Sequence, residues 1–172
     1  MIRRAATGDI PALVTLLREI LLVHHRARPD LFRSSGQKYD EAALSVMLQN
    51  PALPIFVYEE AGTVLGYVMC QEQFFCSDTQ LPVKTLYIDD LCVDSSCRHR
   101  GIGKKLFEYA CSYAREKGFY NVTLHSWDGN PGAMAFYRAM GMQTQYTALE
   151  LVLTEDRPCF PCGSCQSFSQ TC

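Results

Sequence analysis

Residues 92–106 read CVDSSCRHRGIGKKL. A strand runs out at Val93, a polar turn follows, and a helix opens at Gly101 and Gly103. Small residues there let a ligand approach the backbone closely, and the first N–H groups of a helix have no partner inside it. Such a turn holds phosphate, helped by the helix dipole and by Arg98, Arg100, Lys104 or Lys105. Two commoner phosphate motifs fail the comparison. A P-loop needs Ser or Thr after Gly103-Lys104, where Lys105 stands, and glycine at Arg98. A dinucleotide fingerprint starting at Gly101 needs glycine at Leu106. The expected ligand is therefore a phosphorylated cofactor of another kind. Taken alone, the turn reads equally well as a tight connection carrying solvated charge.

The pattern on either side of this turn sets the fold class. Downstream, Leu106, Phe107, Ala110, Cys111 and Ala114 recur on one face of a helix running from Gly101 to Lys117, with Gly118 as its stop. A strand follows at 122–127, then a helix at about 131–140 closed by Gly141, and one or two final strands within 142–153. Upstream lies a strand at about 84–93, preceded by a hairpin of strands at 54–58 and 64–74 around Glu60-Ala61-Gly62. Before the hairpin come a helix at about 39–49, an irregular stretch RARPDLFRSSGQ, and a helix capped by Asp9 that gives out near His24-His25. Residues 2–6 form a first strand. The order β-α-α-β-β-β-α-β-α-β predicts a mixed α/β sheet covered on both faces.

The totals agree with one soluble domain. The chain has 172 residues, 48% of them hydrophobic and 20% charged, enough for one core and short for two. No apolar run approaches the roughly 18 residues of a membrane span. The amino terminus lacks the apolar stretch of a signal peptide, which predicts a cytoplasmic location. A net charge of -2, from 16 basic and 18 acidic residues, gives no field favouring nucleic acid. Of nine cysteines, Cys70, Cys76, Cys92, Cys97 and Cys111 sit mostly in apolar company and read as reduced small hydrophobes.

Two segments together carry a family resemblance. Arg98-His99-Arg100-Gly101-Ile102-Gly103 matches the R/Q-x-x-G-x-G/A signature of the Gcn5-related N-acetyltransferase (GNAT) superfamily, and it follows the strand YIDDLCV. Asn130 opens NPGAMAFYRAMGM, similar to that family's N-x-x-A-x-x-F-Y-x-x-x-G-F, with Met142 replacing the final aromatic. The resemblance spans roughly residues 2–153. It implies a central mixed sheet of six to seven strands flanked by helices, with a splayed parallel strand pair, in an acetyltransferase domain of residues 1–153. It implies acetyl-CoA as the cofactor, its pyrophosphate on Arg98, His99, Arg100, Gly101, Ile102, Gly103 and Lys104. Its pantetheine arm would pair with Leu91, Cys92 and Val93 and approach Asn130 and Tyr137.

The reaction so implied is direct attack of a neutral amine on the thioester, in a ternary complex without a covalent enzyme intermediate. Tyr137 matches the family tyrosine that protonates the departing thiolate; otherwise it is a packed aromatic beside Phe136. YIDDLCV is also similar to the F-I-E-D-L-F-V of the branch acetylating polyamines and related small amines. Asp89 then falls where a glutamate helps remove the proton, directly or through water. For Asp90, a structural carboxylate is as good a reading. Strand alternation allows at most one of the two to face a given cleft. His125 and Trp127 share a strand face and are candidates for the acceptor pocket, Trp127 through cation–π attraction to an ammonium. Asn130 serves as a helix cap, a cofactor contact, or both. His24 and His25 are rim residues.

The acceptor expected is a small cationic amine. A protein amino terminus or lysine, and a non-catalytic acyl-CoA sensor, remain open alternatives. Homodimerisation is compatible with a domain of this size, with no interface legible. Residues 154–172 contain Cys159, Cys162, Cys165 and Cys172 at spacings that fit no usual zinc or iron–sulfur pattern. They are read as a poorly ordered tail with no bound metal.

Overall fold

The computed structural model describes residues 1–153. Two units divide the chain, Met1–Met142 and Gln143–Cys172. The first holds every helix and strand among the described residues. Strands β1 (Ile2–Arg4), β2 (Ile55–Glu60), β3 (Thr63–Ser77), β4 (Gln80–Val93) and β5 (Asn121–Leu124) lie side by side in that order. The first four are antiparallel and β5 runs parallel to β4. The parallel pair is joined through helix α3 (Ile102–Glu116), the crossover that a parallel connection requires.

Each face of the sheet has its own core. Helices α1 (Ile10–Ala27) and α2 (Glu41–Gln49) cover one face, where Leu13, Leu17 and Leu44 pack on Val57, Tyr67, Met69 and Cys92. Helix α3 covers the other, with Ile102, Leu106, Phe107, Ala110 and Ala114 against Phe56, Val68, Cys70, Leu86 and Ile88. Helix α4 (Pro131–Ala139) adds Phe136 and Tyr137 to that second core. Each fully buried side chain of this size contributes roughly 1.5–3 kcal/mol, so α3 is anchored along its whole length.

Several boundaries differ from expectation. The hairpin strands β3 and β4 extend to Ser77 and Gln80, paired with each other, so the expected loop shrinks to two residues. Their alternation continues after the apolar signal fades. Asp9 precedes α1 without capping it through its side chain. Its carboxylate instead accepts from the Ala6 amide at 2.7 Å and from both terminal nitrogens of Arg3 at 2.7 and 2.8 Å.

The sheet has five strands rather than six to seven among the described residues. Residues 143–153 form neither helix nor strand. Leu149, Leu151 and Leu153 alternate as a strand would, yet they are 93%, 82% and 86% exposed. Period-two alternation makes a strand only where a neighbouring backbone completes the ladder, and 143–153 form no ladder among the described residues. The expectations for the cysteine-rich tail concern residues outside those described.

Candidate active site

A single extra residue in β4 organises the site. Across the β3–β4 ladder Met69 pairs with Asp90 and Cys70 with Ile88, leaving Asp89 unmatched. This bulge shifts the alternation by one. Leu86 and Ile88 face the α3 core, Cys92 faces the α1 core, and Leu91 and Val93 return to the α3 side. The bend also corrects the expectation that only one carboxylate reaches a given cleft. Both approach the Lys38 ammonium, Asp89 Oδ2 at 2.9 Å and Asp90 Oδ2 at 3.8 Å. A bulge re-aims side chains in this way because it breaks the strict alternation of a strand.

The environments of the two differ. Asp89 is partly exposed; its Oδ2 also accepts from the Tyr39 hydroxyl at 2.9 Å. Asp90 is only 8% exposed, and its Oδ2 lacks a hydrogen-bond partner among the described residues, as does the buried Tyr67 hydroxyl. Burial pushes the Asp90 carboxyl up to about 6, opposed by the positive charge of Lys38 and reinforced by Asp89. Burial, with the Asp90 charge second, raises the Tyr137 phenol well above its usual value. Tyr137 is thus a firmly protonated donor within the electrostatic reach of Asp90. Its ring packs on Phe136 and Phe107, centroids 5.1 and 6.1 Å away.

The same stretch of β4 has an open edge. Pairing with β5 runs from Thr85↔Asn121 to Ile88↔Leu124 and stops. It is clamped at its start by the Thr85 hydroxyl, which donates to Asn121 Oδ1 at 2.7 Å. The strand expected to continue through Trp127 therefore ends at Leu124, because β4 bends away at the bulge. From Asp89 to Val93, β4 is paired only with β3. Apart from the Asp89 carbonyl, which accepts from Lys38, and the Val93 carbonyl, which accepts from Arg98, both at 3.3 Å, the backbone groups on its other side are available to an extended polar ligand.

The signature turn lies at the end of this edge. His99 has φ 62° and Gly101 φ 77°, placing left-handed residues just before the free amides of the first α3 turn. Consecutive amides in such a conformation form an anion-binding concavity. A Cβ on Gly101 would meet nothing within 4 Å, so the space before it is open. Gly103 faces Leu91, Val93 and Phe136, and Ile102 is buried in the α3 core.

The basic residues around the turn are held by acids: Arg98 near Glu19 at 3.8 Å, Arg100 on Glu60 at 2.8 Å, and Lys104 near Glu108 at 3.9 Å. These exposed pairs are weak, so the cations can turn to a phosphate. A free strand edge leading to an open amide nest suits an extended chain ending in pyrophosphate, the shape of a pantetheine nucleotide. The residues present thus fit acetyl-CoA.

The remaining expected residues lie after β5, with His24 on α1. Asn130 caps α4, its Oδ1 accepting from the Ala133 amide at 3.2 Å. The His125 ring nitrogen lies 3.3 Å from the Tyr87 hydroxyl. Trp127 meets the edge of Phe32 at 5.4 Å and lies under the Arg28 guanidinium, also at 5.4 Å. The cation expected on this ring is thus supplied by the chain itself. His24 stacks on Phe32, and burial, with the Lys38 charge second, lowers its proton affinity. Sequence reasoning missed Lys38, Tyr39 and Tyr67. Lys38 lies in an aperiodic segment 51 residues from Asp89, and Tyr67 reads as an ordinary strand aromatic.

Comparison with known proteins agrees with the geometry. The model of the acetyltransferase (GNAT) family matches residues 18–142. A bovine (Bos taurus) thialysine N-epsilon-acetyltransferase is 26% identical over 151 residues, covering 83% of this chain and 84% of the relative. A mutant of the BH1408 protein from Bacillus halodurans is 29% identical with a TM-score of 0.86, covering 90% of this chain and 99% of that one. An aminoglycoside N-acetyltransferase solved with CoA, AAC(6')-Iy, shares the fold at 16% identity and a TM-score of 0.66, covering 92% of this chain and all of that one. The chain belongs to the GNAT family of acetyl-CoA-dependent N-acyltransferases.

Proposed function

We propose that the chain acetylates the primary amino group of a small cationic amine by direct attack within a ternary complex. The observation that carries this reading is the acidic pair at the point where β4 and β5 part, with one carboxylate buried and the protonated Tyr137 phenol within its field. A carboxylate pair in low dielectric attracts an ammonium strongly and discriminates against neutral acceptors. The bovine relative's name, a thialysine N-epsilon-acetyltransferase, supports a side-chain-like primary amine as the acceptor.

Acetyl-CoA supplies the activated acetyl group. The first-turn amides of α3, Arg98, Arg100 and Lys104 hold its pyrophosphate, and the backbone of Leu91, Cys92 and Val93 aligns its arm. Asp89, the more exposed carboxylate, takes the proton of the bound ammonium, directly or through water. Asp90 supplies charge. Tyr137 donates its proton to the departing thiolate, a role that needs a neutral phenol. His125 and Trp127 flank the acceptor pocket, and Asn130 fixes the start of the helix that presents Tyr137.

The test is release of free thiol from acetyl-CoA across polyamines, aminoglycosides, amino acids and short peptides, against a blank without acceptor. Saturable release with cationic small amines, lost in Asp89→Asn, is the expected result. Turnover confined to peptides would overturn the reading.

A further inference from the structure

We propose that Lys38 is an acceptor built into the chain: its amine occupies the Asp89–Asp90 site and is acetylated there when no external amine competes. The inference rests on the reading of Asp89, Asp90 and Tyr137 as the acceptor side of the transfer site.

Lys38 is bound in the manner expected of a substrate. Its Nζ lies 2.9 Å from Asp89 Oδ2, 3.3 Å from the Asp89 carbonyl oxygen and 3.8 Å from Asp90 Oδ2. An ammonium has three donors, and its hydrogen-bond and ion-pair partners among the described residues are oxygens of the two residues at the bulge. Tyr39 flanks it, with the ring centroid 5.4 Å from Nζ, and His24 feels its charge. Neutral His24 and a phenol leave Asp89 and Asp90 as the anionic partners.

Two features distinguish this contact from a structural ion pair. Asp90 Oδ2 is buried with no hydrogen-bond partner within 3.5 Å among the described residues, the Tyr67 hydroxyl being its buried neighbour, so the acidic site retains accepting capacity that Lys38, at 3.8 Å, does not use. Lys38 also comes from the stretch between α1 and α2, which has no helix or strand around it, and its side chain is 37% exposed. A primary amine on an aliphatic arm, reaching a carboxylate pair whose charge is felt at the Tyr137 phenol, has the chemistry of the external acceptor with the entropy of encounter already removed.

The step balances as ordinary acetyl transfer. The Lys38 ammonium gives a proton to Asp89, and the resulting amine attacks the thioester carbon. A nitrogen–carbon bond forms, the carbon–sulfur bond breaks with its electron pair on sulfur, and Tyr137 protonates the thiolate and is reprotonated from the site. Lysyl ammonium and acetyl-CoA yield acetyl-lysine, free thiol and one proton. Acetylation removes the positive charge of Lys38, leaving the carboxylate pair without its internal counter-ion.

The full chain is incubated with acetyl-CoA and no added amine, at two protein concentrations, and followed by intact mass and peptide mapping. Thiol release with putrescine is measured in parallel. One acetyl group on Lys38 is expected, with a half-time independent of protein concentration. It should be absent in Lys38→Arg, which keeps the charge, and slowed in Tyr137→Phe. Acetyl groups spread over surface lysines and unaffected by Tyr137→Phe would overturn the proposal. Unmodified Lys38 alongside putrescine turnover would overturn this proposal and leave the proposed function standing; loss of both would overturn both.

A second measurement needs no acetyl-CoA. Calorimetric binding of putrescine should tighten in Lys38→Met, since removal of the internal occupant restores the binding-competent fraction. Unchanged affinity would also overturn the proposal.

Discussion

Tyr67 and Asp90 are buried neighbours in electrostatic contact, and neither the Tyr67 hydroxyl nor Asp90 Oδ2 has a hydrogen-bond partner within 3.5 Å among the described residues. The pair sets a direction for stability against pH. The folded carboxyl titrates near 6, above its ordinary 3.8, so between those values the native state binds more protons than the unfolded chain. Stability from this group is therefore complete below about pH 4 and falls as pH rises to about 6. Asp90→Asn removes the effect. Relative to the parent, the variant should gain about 2–3 kcal/mol between pH 4 and pH 7. Urea unfolding across that range measures the difference, and a flat profile would contradict it.

Arg3 gives the opposite sign. Its guanidinium donates to both Asp9 oxygens and to Glu59 at 2.8 Å, and these bonds hold the Asp9 carboxyl below the usual range. The stability this confers is present above the ordinary carboxyl pKa and is lost as pH falls through the lowered one. Arg3→Met should cost about 2–3 kcal/mol at neutral pH by leaving a buried carboxylate unpaired. Thermal melts should show the deficit shrinking in acid.

Gly66 is fixed by close approach rather than by backbone conformation. An added Cβ would lie 2.8 Å from the Cys92 carbonyl oxygen and 3.3 Å from Val93 Cα. Gly66→Ala should push β4 away from β3 where β4 presents its open edge, costing about 1–3 kcal/mol. Weaker acetyl-CoA binding, read by calorimetry, should accompany the lower melting temperature.

Tyr137→Phe retains the ring contacts with Phe136 and Phe107 and removes only the hydroxyl. The maximal rate should fall about a hundredfold or more, with the melting temperature nearly unchanged. A rate within twofold of the parent would assign thiolate protonation to another group.

The sequence made the signature turn and the FY helix legible because both depend on short-range requirements. Gly101 occupies a positive φ, Asn130 caps the first turn of α4, and the apolar stripe of α3 repeats every turn. Other features depend on partners distant along the chain. The bulge at Asp89 arises from pairing with Met69 and Cys70, and YIDDLCV carries no mark of it. The strand after α3 ends at Leu124 because β4 bends away. The alternation in 143–153 has no ladder to join. Lys38 reaches its carboxylates from a segment without periodicity.

The bulge also makes the count of residues in β4 an instruction in its own right. Below Asp89, even-numbered side chains face α3; above it, odd-numbered ones do. Removing Asp89 would shorten the strand by little over 3 Å and restore strict alternation, with Met69 still opposite Asp90 and Cys70 still opposite Ile88. Cys92 would stay toward α1 and Leu91 and Val93 toward α3, so both cores would be kept while the bulge and the carboxylate nearest Lys38 were lost. A single-codon deletion at this point should therefore spare the fold and be felt in the site alone, as a straightened wall with one carboxylate where two had met the Lys38 ammonium.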